Sequence, residues 1–139
     1  MNGLPMGYFI MIKLVCGRCR AGKTTYCQQF KSVLHLDKYG IHPHSYPKCL
    51  EKVATVDGDL IVDGIFDTAE RRTALLDAYK GGGQKICIWI DTPLDVIESR
   101  IRRYAKTRKL PDTFETPTPS EGWDEIIIIR GEHEQRICR

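Results

Sequence analysis

Short apolar runs alternate along this chain with segments in which apolar residues recur every three or four positions. The runs are typical of strands that are buried on both faces, and the spaced segments are typical of amphipathic helices. This alternation predicts βα units around a parallel sheet. We therefore expect an α/β fold with a single three-layer domain over residues 1–139, of which 1–8 form a flexible N-terminal extension.

Five strands are predicted from the apolar runs, in a mainly parallel sheet. The first and the fourth contain the most continuous apolar stretches and should lie near the centre of the sheet. The predicted strands cover residues 9–16, 33–36, 60–62, 86–90 and 126–129.

Four helices are predicted between these strands. The first should cover 24–31, and a weak helix is expected over 48–54. Asp67 and Glu70 form a capping-box pattern that should open the third helix, which the glycines at 81–83 close.

The fourth helix should start with Thr92 as its N-cap and Pro93 in its first turn. Its predicted core stripe follows the 3–4 spacing of a buried helix face, and a proline- and threonine-rich loop over 111–122 comes after it. The stripe consists of Leu94, Ile97, Ile101 and Tyr104.

The segment GRCRAGKT at 17–24 matches the pattern G-x-x-x-x-G-K-[ST] in full, and it lies between a predicted strand and a predicted helix. Glycines allow a tight turn whose backbone N–H groups approach phosphate oxygens, and the following helix directs its positive N-terminus at the anion. Lys23 supplies a mobile charge for the β- and γ-phosphates, and the Thr24 hydroxyl can bind Mg²⁺. We expect ATP or GTP to contact Gly17, Arg18, Cys19, Arg20, Ala21, Gly22, Lys23, Thr24 and Thr25.

The interior of this loop carries Arg18, Cys19 and Arg20, where many such loops have glycine or proline. These residues are tolerated if their backbone stays outside the left-handed region. Otherwise Arg20 would be strained, by roughly 1–2 kcal/mol. The two arginines would in either case add positive charge near the phosphates.

Two carboxylates end predicted strands. Asp63 ends an apolar strand and can hold Mg²⁺ through a bound water, although an Asp followed by Gly64 is also a turn signal. Asp37 follows the second strand, where it can accept the proton of an attacking hydroxyl group, or simply cap the chain before Tyr39 and Gly40.

Six basic residues fall within ten positions at the end of the fourth predicted helix. Arg100 and Arg103 lie on one flank of its apolar stripe, from which they can reach phosphates and neutralise charge in a transition state. A solvated basic face is the alternative. The set comprises Arg100, Arg102, Arg103, Lys106, Arg108 and Lys109.

Composition narrows the class of protein further. A net charge of +3 is too small to argue for nucleic acid or membrane partners. There is no apolar stretch of about 20 residues and no secretory signal pattern, so we expect a cytoplasmic protein.

The cysteines and histidines are candidates for redox activity or metal binding. Six scattered cysteines suit reduced thiols rather than a disulfide framework. Cys16 and Cys19 form a lone C-x-x-C, for which a strand end and a loop position are the simpler interpretation. His42, His44 and Cys49 could bind a metal, but a surface loop with two prolines is favoured.

With these residues placed, the chain resembles the P-loop kinases of the polynucleotide 5′-kinase type, a group related to zeta toxins and nucleotide kinases. The resemblance covers nearly the whole chain and depends on five segments. These are GRCRAGKTT at 17–25, Asp37, VDGIFDTAERR at 62–72, KICIWIDTPLDVIESRIRR at 85–103 and PTPSEGWDEIIII at 117–129.

The resemblance implies a P-loop fold with a short lid, ATP and Mg²⁺ bound by Lys23 and Thr24, and Asp37 as general base for an incoming 5′-hydroxyl. It also implies that Arg100 and Arg103 belong to the lid, with Arg102 competing for the second position. Arg71 matches a Glu-Arg-Arg at a helix start and is interpreted as structural.

The chain departs from the family around the acceptor site. The family often has an arginine shortly after the base that binds the acceptor's phosphate, and here Lys38 is the nearest basic candidate. The short segment between Asp37 and Asp63 carries an unusual His-Pro-His. The preferred function is a phosphotransferase that acts on the 5′-hydroxyl of a polynucleotide. A nucleoside or other small-molecule kinase is one alternative, and a nucleotide-binding module without transfer activity is the other. Oligomeric state is left open.

Overall fold

A computed structural model of the chain describes residues 10–104 and 113–138. The expected N-terminal extension at 1–8 and the basic residues Lys106, Arg108 and Lys109 lie outside the described residues. Within the described residues no helix combines the length and apolar character that crossing a bilayer requires.

The centre of the molecule is a six-stranded sheet with strand order β2-β3-β1-β4-β5-β6. Strands β1 to β5 are parallel and β6 is antiparallel to β5. The strands are β1 (Met11–Cys16), β2 (Leu34–His35), β3 (Leu60–Asp63), β4 (Gln84–Ile90), β5 (Glu125–Arg130) and β6 (His133–Cys138).

The prediction of five strands was wrong by one. Strand β6 was missed because its sequence is mainly polar. Its side chains are mostly exposed at the edge of the sheet, so no apolar run marks it. A two-residue loop, Gly131–Glu132, joins it to β5 and pairs Arg130 with His133. Gly131 has φ +62°, the positive value that tight hairpin turns require at their first central position.

Four α-helices cover the two faces of the sheet. They are α1 (Lys23–Cys27), α2 (Ser45–Val53), α3 (Ala69–Ala78) and α4 (Leu94–Tyr104). Two short 3₁₀ helices, Leu36–Tyr39 and Pro119–Glu121, complete the described elements.

The core is divided by the sheet into two layers, which makes the three-layer architecture. One layer joins α2 and α3 to the face of β1 that carries Ile12 and Leu14. The other joins α1 and α4 to the opposite face, through Val15, Ile97 and Ile101. The alternation of inward residues along β1 follows from the two-residue period of a strand.

Two predicted helix starts need correction. Thr68, rather than Asp67, caps α3, and its hydroxyl accepts from the Arg71 amide at 3.1 Å. Helix α4 starts at Leu94, and the Pro93 carbonyl accepts from the Ile97 amide, so Thr92 is not its cap. The Thr92 hydroxyl instead donates to the Ala21 carbonyl in the phosphate loop.

Other boundaries also differ. Helix α1 ends at Cys27 because the next residues tighten into turns, and α2 begins three residues before the predicted start. Leu94 is 48% exposed, so the buried stripe of α4 begins at Ile97. The side chain of Tyr104 lies outside the described part of the chain.

Candidate active site

The carboxyl ends of the parallel strands meet at one edge of the sheet, and a cavity opens there. Its volume is about 930 Å³. The chain leaves β1, β2, β3 and β4 at this edge, so the segments that follow these strands form the walls. Of the residues predicted to bind nucleotide, Cys19, Arg20, Gly22, Lys23, Thr24 and Thr25 line the cavity, whereas Gly17, Arg18 and Ala21 do not.

The phosphate loop turns sharply between β1 and α1. The Ala21 amide donates to the Arg18 carbonyl at 3.0 Å, which closes a turn inside the loop. Gly22 precedes the first turn of α1 with φ +107° and ψ 18°. Only glycine adopts this conformation readily, so the second glycine of the motif has a backbone reason.

Arg20 adopts the left-handed conformation, which is the unfavourable case for a non-glycine residue in this loop. Its φ is +67°, at a cost of roughly 1–2 kcal/mol. The Arg20 carbonyl accepts a hydrogen bond from Arg100 Nη1 at 2.8 Å. This contact from α4 holds the strained residue in place.

Lys23 lies against the loop from which it comes. Its ammonium donates to the Arg18 carbonyl at 2.7 Å. Burial lowers the pKa of Lys23, and the negative charge of Asp63 opposes that shift. An anion in the loop would add a second charge of the same sign as Asp63 and favour the charged form of Lys23.

The two predicted lid arginines have different positions. Arg100 is half-buried, lines the cavity and contacts the loop. Arg103 is exposed and does not line the cavity. Arg102, its competitor, is exposed and lies 4.0 Å from Glu98 on its own helix.

Asp63 is buried at the end of β3 and lines the cavity. Its Oδ2 lies 2.9 Å from Nδ1 of His35, the residue paired with it on β2. His35 was missed in the sequence. One signal for His35 was available in the sequence. It is a single polar residue inside the apolar segment 33–36, which pairs in the sheet with the strand that ends in Asp63.

The residues that could hold Mg²⁺ fit that ion in type. Thr24 and Asp63 both line the cavity beside the loop and offer oxygen ligands. No group of three or more metal-binding side chains occurs among the described residues.

Asp37 lies on the 3₁₀ helix that follows β2, exposed and facing the same cavity. This helix packs closely on the segment after β3. A Cβ atom at Gly64 would lie 2.7 Å from the Leu36 Cβ, so only glycine allows Leu36 to fill this place. The missing side chain at Gly64 thus sets the position of the segment that carries Asp37.

Asp37 was predicted to face the phosphoryl acceptor, but most of the cavity lining around it was not predicted. Residues 36–45 and 64–65 form this part of the lining, and we call the set the acceptor wall after that prediction for Asp37. Its cavity-lining members are Leu36, Asp37, Gly40, Ile41, His42, Ser45, Gly64 and Ile65.

A polar cluster supports the acceptor wall from behind. Arg71 donates to Asp67 Oδ1 at 2.6 Å, and its Nη1 lies 3.3 Å from His42 Nε2. The Arg71 guanidinium stacks 4.5 Å from the Tyr46 ring, and His42 meets the same ring edge-on. Burial raises the pKa of Tyr46 to about 12. These contacts agree with the interpretation of Arg71 as structural.

A buried ion pair anchors the connection from β3 to α3. Arg72 is fully buried and pairs with Glu121 at 2.8 Å. Its Nη1 also donates to the Phe66 carbonyl at 2.7 Å. Phe66 is buried with φ +40°, unusual for a bulky residue, so Arg72 holds a strained turn directly behind the acceptor wall.

The alternative cysteine and histidine sites are not formed. Cys16 is buried with its Sγ 3.6 Å from that of Cys87, not paired with Cys19. Cys49 is buried on α2, and burial raises its pKa to about 11. His42 and His44 lie on the exposed segment before α2, in agreement with the favoured interpretation as a loop.

No protein-family model matches the sequence, and neither does any curated protein sequence. Solved structures do match in fold. The APS kinase CysC of Mycobacterium tuberculosis, in complex with AMPPNP and APS, is 17% identical with a TM-score of 0.61, covering 90% of each chain. An unliganded sugar kinase from Janibacter sp. HTCC2649 is 15% identical with a TM-score of 0.60, covering 87% of this chain and 85% of the other.

A third match comes from the PezAT chromosomal toxin–antitoxin system of Streptococcus pneumoniae. It is 14% identical with a TM-score of 0.54, covering 96% of this chain and 75% of the other. At such identities the likeness shows a shared fold and no more. The narrower resemblance to polynucleotide kinases finds no support in these comparisons.

Proposed function

We propose that this protein is an ATP- and Mg²⁺-dependent phosphotransferase that moves the γ-phosphoryl group to a hydroxyl group. The observation that carries the proposal is one cavity lined by Lys23 and Thr24 of the phosphate loop, by the carboxylates of Asp37 and Asp63, and by Arg100. A shared fold with kinases, one of them bound to the nucleotide AMPPNP, supports the same conclusion.

On this proposal the segment 17–25 binds the phosphates of ATP. Lys23 and Arg100, which rest on loop carbonyls at 2.7 and 2.8 Å, turn toward the phosphate oxygens. Thr24 and Asp63 hold Mg²⁺, which neutralises phosphate charge when it is bound. His35 keeps one oxygen of Asp63 occupied and thereby sets the direction of the other.

Asp37 is proposed as the general base. The acceptor hydroxyl oxygen forms a bond to the γ-phosphorus as the bond to the bridging oxygen of ADP breaks. The electron pair of that bond leaves with ADP, and the hydroxyl proton passes to the Asp37 carboxylate. Most of the rate acceleration then comes from position and charge, supplied by Lys23, Arg100 and Asp37.

The acceptor class has two candidates within this chemistry. The resemblance of the sequence favours the 5′-hydroxyl of a polynucleotide. The names of the structural neighbours, a sugar kinase and an APS kinase, are compatible with a small molecule instead.

The test is transfer of label from γ-labelled ATP to panels of hydroxyl acceptors, with Asp37→Asn and Asp77→Asn as a matched pair. Asp77 is exposed on α3 and does not line the cavity. We expect Asp37→Asn to reduce kcat by about 10²–10⁴-fold while the Kd for ATP changes less than about twofold. Asp77→Asn should behave as the wild type.

Two results would contradict the proposal. Binding of ATP without label on any acceptor would indicate a nucleotide-binding module without transfer activity. Equal activity of Asp37→Asn and the wild type would remove Asp37 from the mechanism.

A further inference from the structure

We propose that the acceptor is an uncharged polyhydroxyl compound the size of a sugar or nucleoside, and that His42 orients it. This inference deepens the proposed function and rests on it. Four features of the acceptor wall carry the inference: its charge, the state of the nearest arginine, the hydrogen bond that His42 already makes, and its set of polar groups.

The charges of the cavity are divided unequally between its two sides. All described arginine and lysine side chains that line it, Arg20, Lys23 and Arg100, belong to the phosphate loop and to α4. The acceptor wall contributes apolar side chains, a serine, a histidine and the Asp37 carboxylate. A phosphate or sulfate group placed against this wall would meet a negative charge and no described lysine or arginine.

The nearest arginine behind the wall already has a counter-charge. Arg71 is held by Asp67 at 2.6 Å and lies over the Tyr46 ring, and it does not line the cavity. Lys38 lines a separate groove between α1 and β2. Because polynucleotide binding depends on basic groups that contact successive phosphates, this wall favours an uncharged acceptor.

Arg71 also decides which nitrogen of His42 can donate. A guanidinium group only donates hydrogen bonds, so in the neutral ring His42 Nε2 accepts from Arg71 at 3.3 Å, while Asp67 Oδ2 lies farther from this nitrogen at 4.0 Å. In the neutral ring the proton then lies on Nδ1. The edge-on contact with Tyr46, at 5.4 Å between ring centroids, keeps the ring in this orientation.

The wall therefore offers a mixed set of hydrogen-bonding groups around the general base. His42 Nδ1–H is a donor, the Asp37 carboxylate is an acceptor, and the Ser45 hydroxyl, almost fully buried, can be either. Leu36, Ile41 and Ile65 supply the apolar surface between them. Polyhydroxyl compounds match such a set, since each hydroxyl both donates and accepts.

The first experiment measures transfer of label from γ-labelled ATP to two acceptor panels. One panel is uncharged and contains pentoses, hexoses, glycerol and nucleosides. The other is anionic and contains nucleoside 3′-monophosphates, adenosine 5′-phosphosulfate and 5′-hydroxyl oligonucleotides. We expect kcat/KM for the best uncharged acceptor to exceed that of every anionic one by at least about tenfold.

The outcomes separate this inference from the function on which it rests. Label mainly on oligonucleotides or other anions would overturn the uncharged class and leave the phosphotransferase function intact. No label on either panel, with ATP bound, would overturn the transfer reaction itself.

The second experiment tests His42 as a positioning residue, with His44 as the matched control. His44 is exposed two residues later and does not line the cavity. We expect His42→Ala to raise the KM for the acceptor about tenfold while the KM for ATP stays within about twofold. His42→Asn, which keeps a donor, should recover part of the loss, and His44→Ala should match the wild type.

A merely structural role for His42 would give a different pattern. It would change the KM for ATP and the thermal midpoint of unfolding together with the KM for the acceptor, and asparagine would not rescue. Either that pattern or unchanged kinetics in both His42 variants would overturn the assignment.

Discussion

The two sides of the cavity are built in different ways. The phosphate loop depends on the backbone: a turn between Arg18 and Ala21, and Gly22 at φ +107°. The acceptor wall depends on side chains that come from distant parts of the chain, such as His42 against Arg71 and Phe66 held by Arg72. This difference explains why the phosphate loop can be recognised in the sequence, whereas most of the acceptor wall cannot.

A site built from backbone groups leaves a strict local pattern, because only certain residues allow the required turn. A site built from side chains leaves no fixed spacing, since any segment that reaches the cavity can supply a contact. We therefore expect the two sides to respond differently to substitution. Three predictions test that expectation.

The largest effect should come from the anchor of the acceptor wall, Arg72. Arg72→Met leaves Glu121 buried without a counter-charge and releases the Phe66 carbonyl, so we expect a loss of about 3–5 kcal/mol in the free energy of unfolding. Urea denaturation followed by circular dichroism measures it. Arg136→Met, which removes the ion pairs of an exposed arginine with Glu134 and Glu125, is the control and should leave stability nearly unchanged.

Replacing Glu121 as well sharpens this prediction. In Arg72→Met with Glu121→Leu no charge is left buried, so part of the lost stability should return. If the single variant is as stable as the wild type, the ion pair does not support the wall.

The next effect separates the two arginines of α4 that were predicted to act on the phosphates. Arg100 lines the cavity and donates to the Arg20 carbonyl of the loop, whereas Arg103 does not line the cavity. We expect Arg100→Met to lower kcat by about 10²-fold, in the range seen when one charge-stabilising donor is lost, and Arg103→Met by less than about threefold. Steady-state kinetics at saturating ATP measures both.

A larger loss of kcat in Arg103→Met than in Arg100→Met would reverse this assignment. It would mean that α4 turns its other flank toward the nucleotide in the working complex. The roles of both residues, first inferred from the sequence, stay predictions until this comparison is made.

The smallest effect concerns the thiols and reports on the phosphate side alone. Cys19 is partly exposed in the cavity, and Cys138 is exposed on β6. ATP at ten times its Kd should slow alkylation of Cys19 by iodoacetamide about tenfold and leave Cys138 unaffected. Peptide mass spectrometry measures both rates, and equal rates at Cys19 with and without ATP would place the nucleotide elsewhere.

The buried thiols of Cys49 and Cys27 are a pH-dependent control for the alkylation experiment. Burial raises the pKa of Cys49 to about 11 and that of Cys27 to about 12, so both thiols stay protonated at pH 8. Both should stay unmodified while the protein is folded. Their reactivity should rise only as the pH approaches those pKa values, because a raised thiol pKa moves formation of the reactive thiolate to higher pH.

Much of the fold was predictable because buried parallel strands read as apolar runs. Strands β1, β3, β4 and β5 and the helices between them were found with small boundary errors. Strand β2 was predicted at 33–36 and spans two residues, Leu34–His35. Strand β6 was missed because it is exposed at the edge of the sheet, where burial does not require apolar residues.

The candidate site was also predictable only in part. The loop at 17–25 and the strand-end position of Asp63 follow from local patterns. His35, His42 and the wall around Asp37 do not, because each meets its partner only after strands or helices distant in sequence come together. Hydrogen-bond partners 28 and 29 residues apart leave no spacing rule to read.

The sequence by itself determined the βα order, the phosphate loop and the strand ends that carry carboxylates, since each depends on residues next to one another in the chain. Only the tertiary structure decided which arginine of α4 reaches the loop, how Asp63 is held, and what lines the acceptor side. Those outcomes depend on which side chains are brought together at the carboxyl edge of the sheet. The packing of separate segments sets that choice, and no local pattern encodes it.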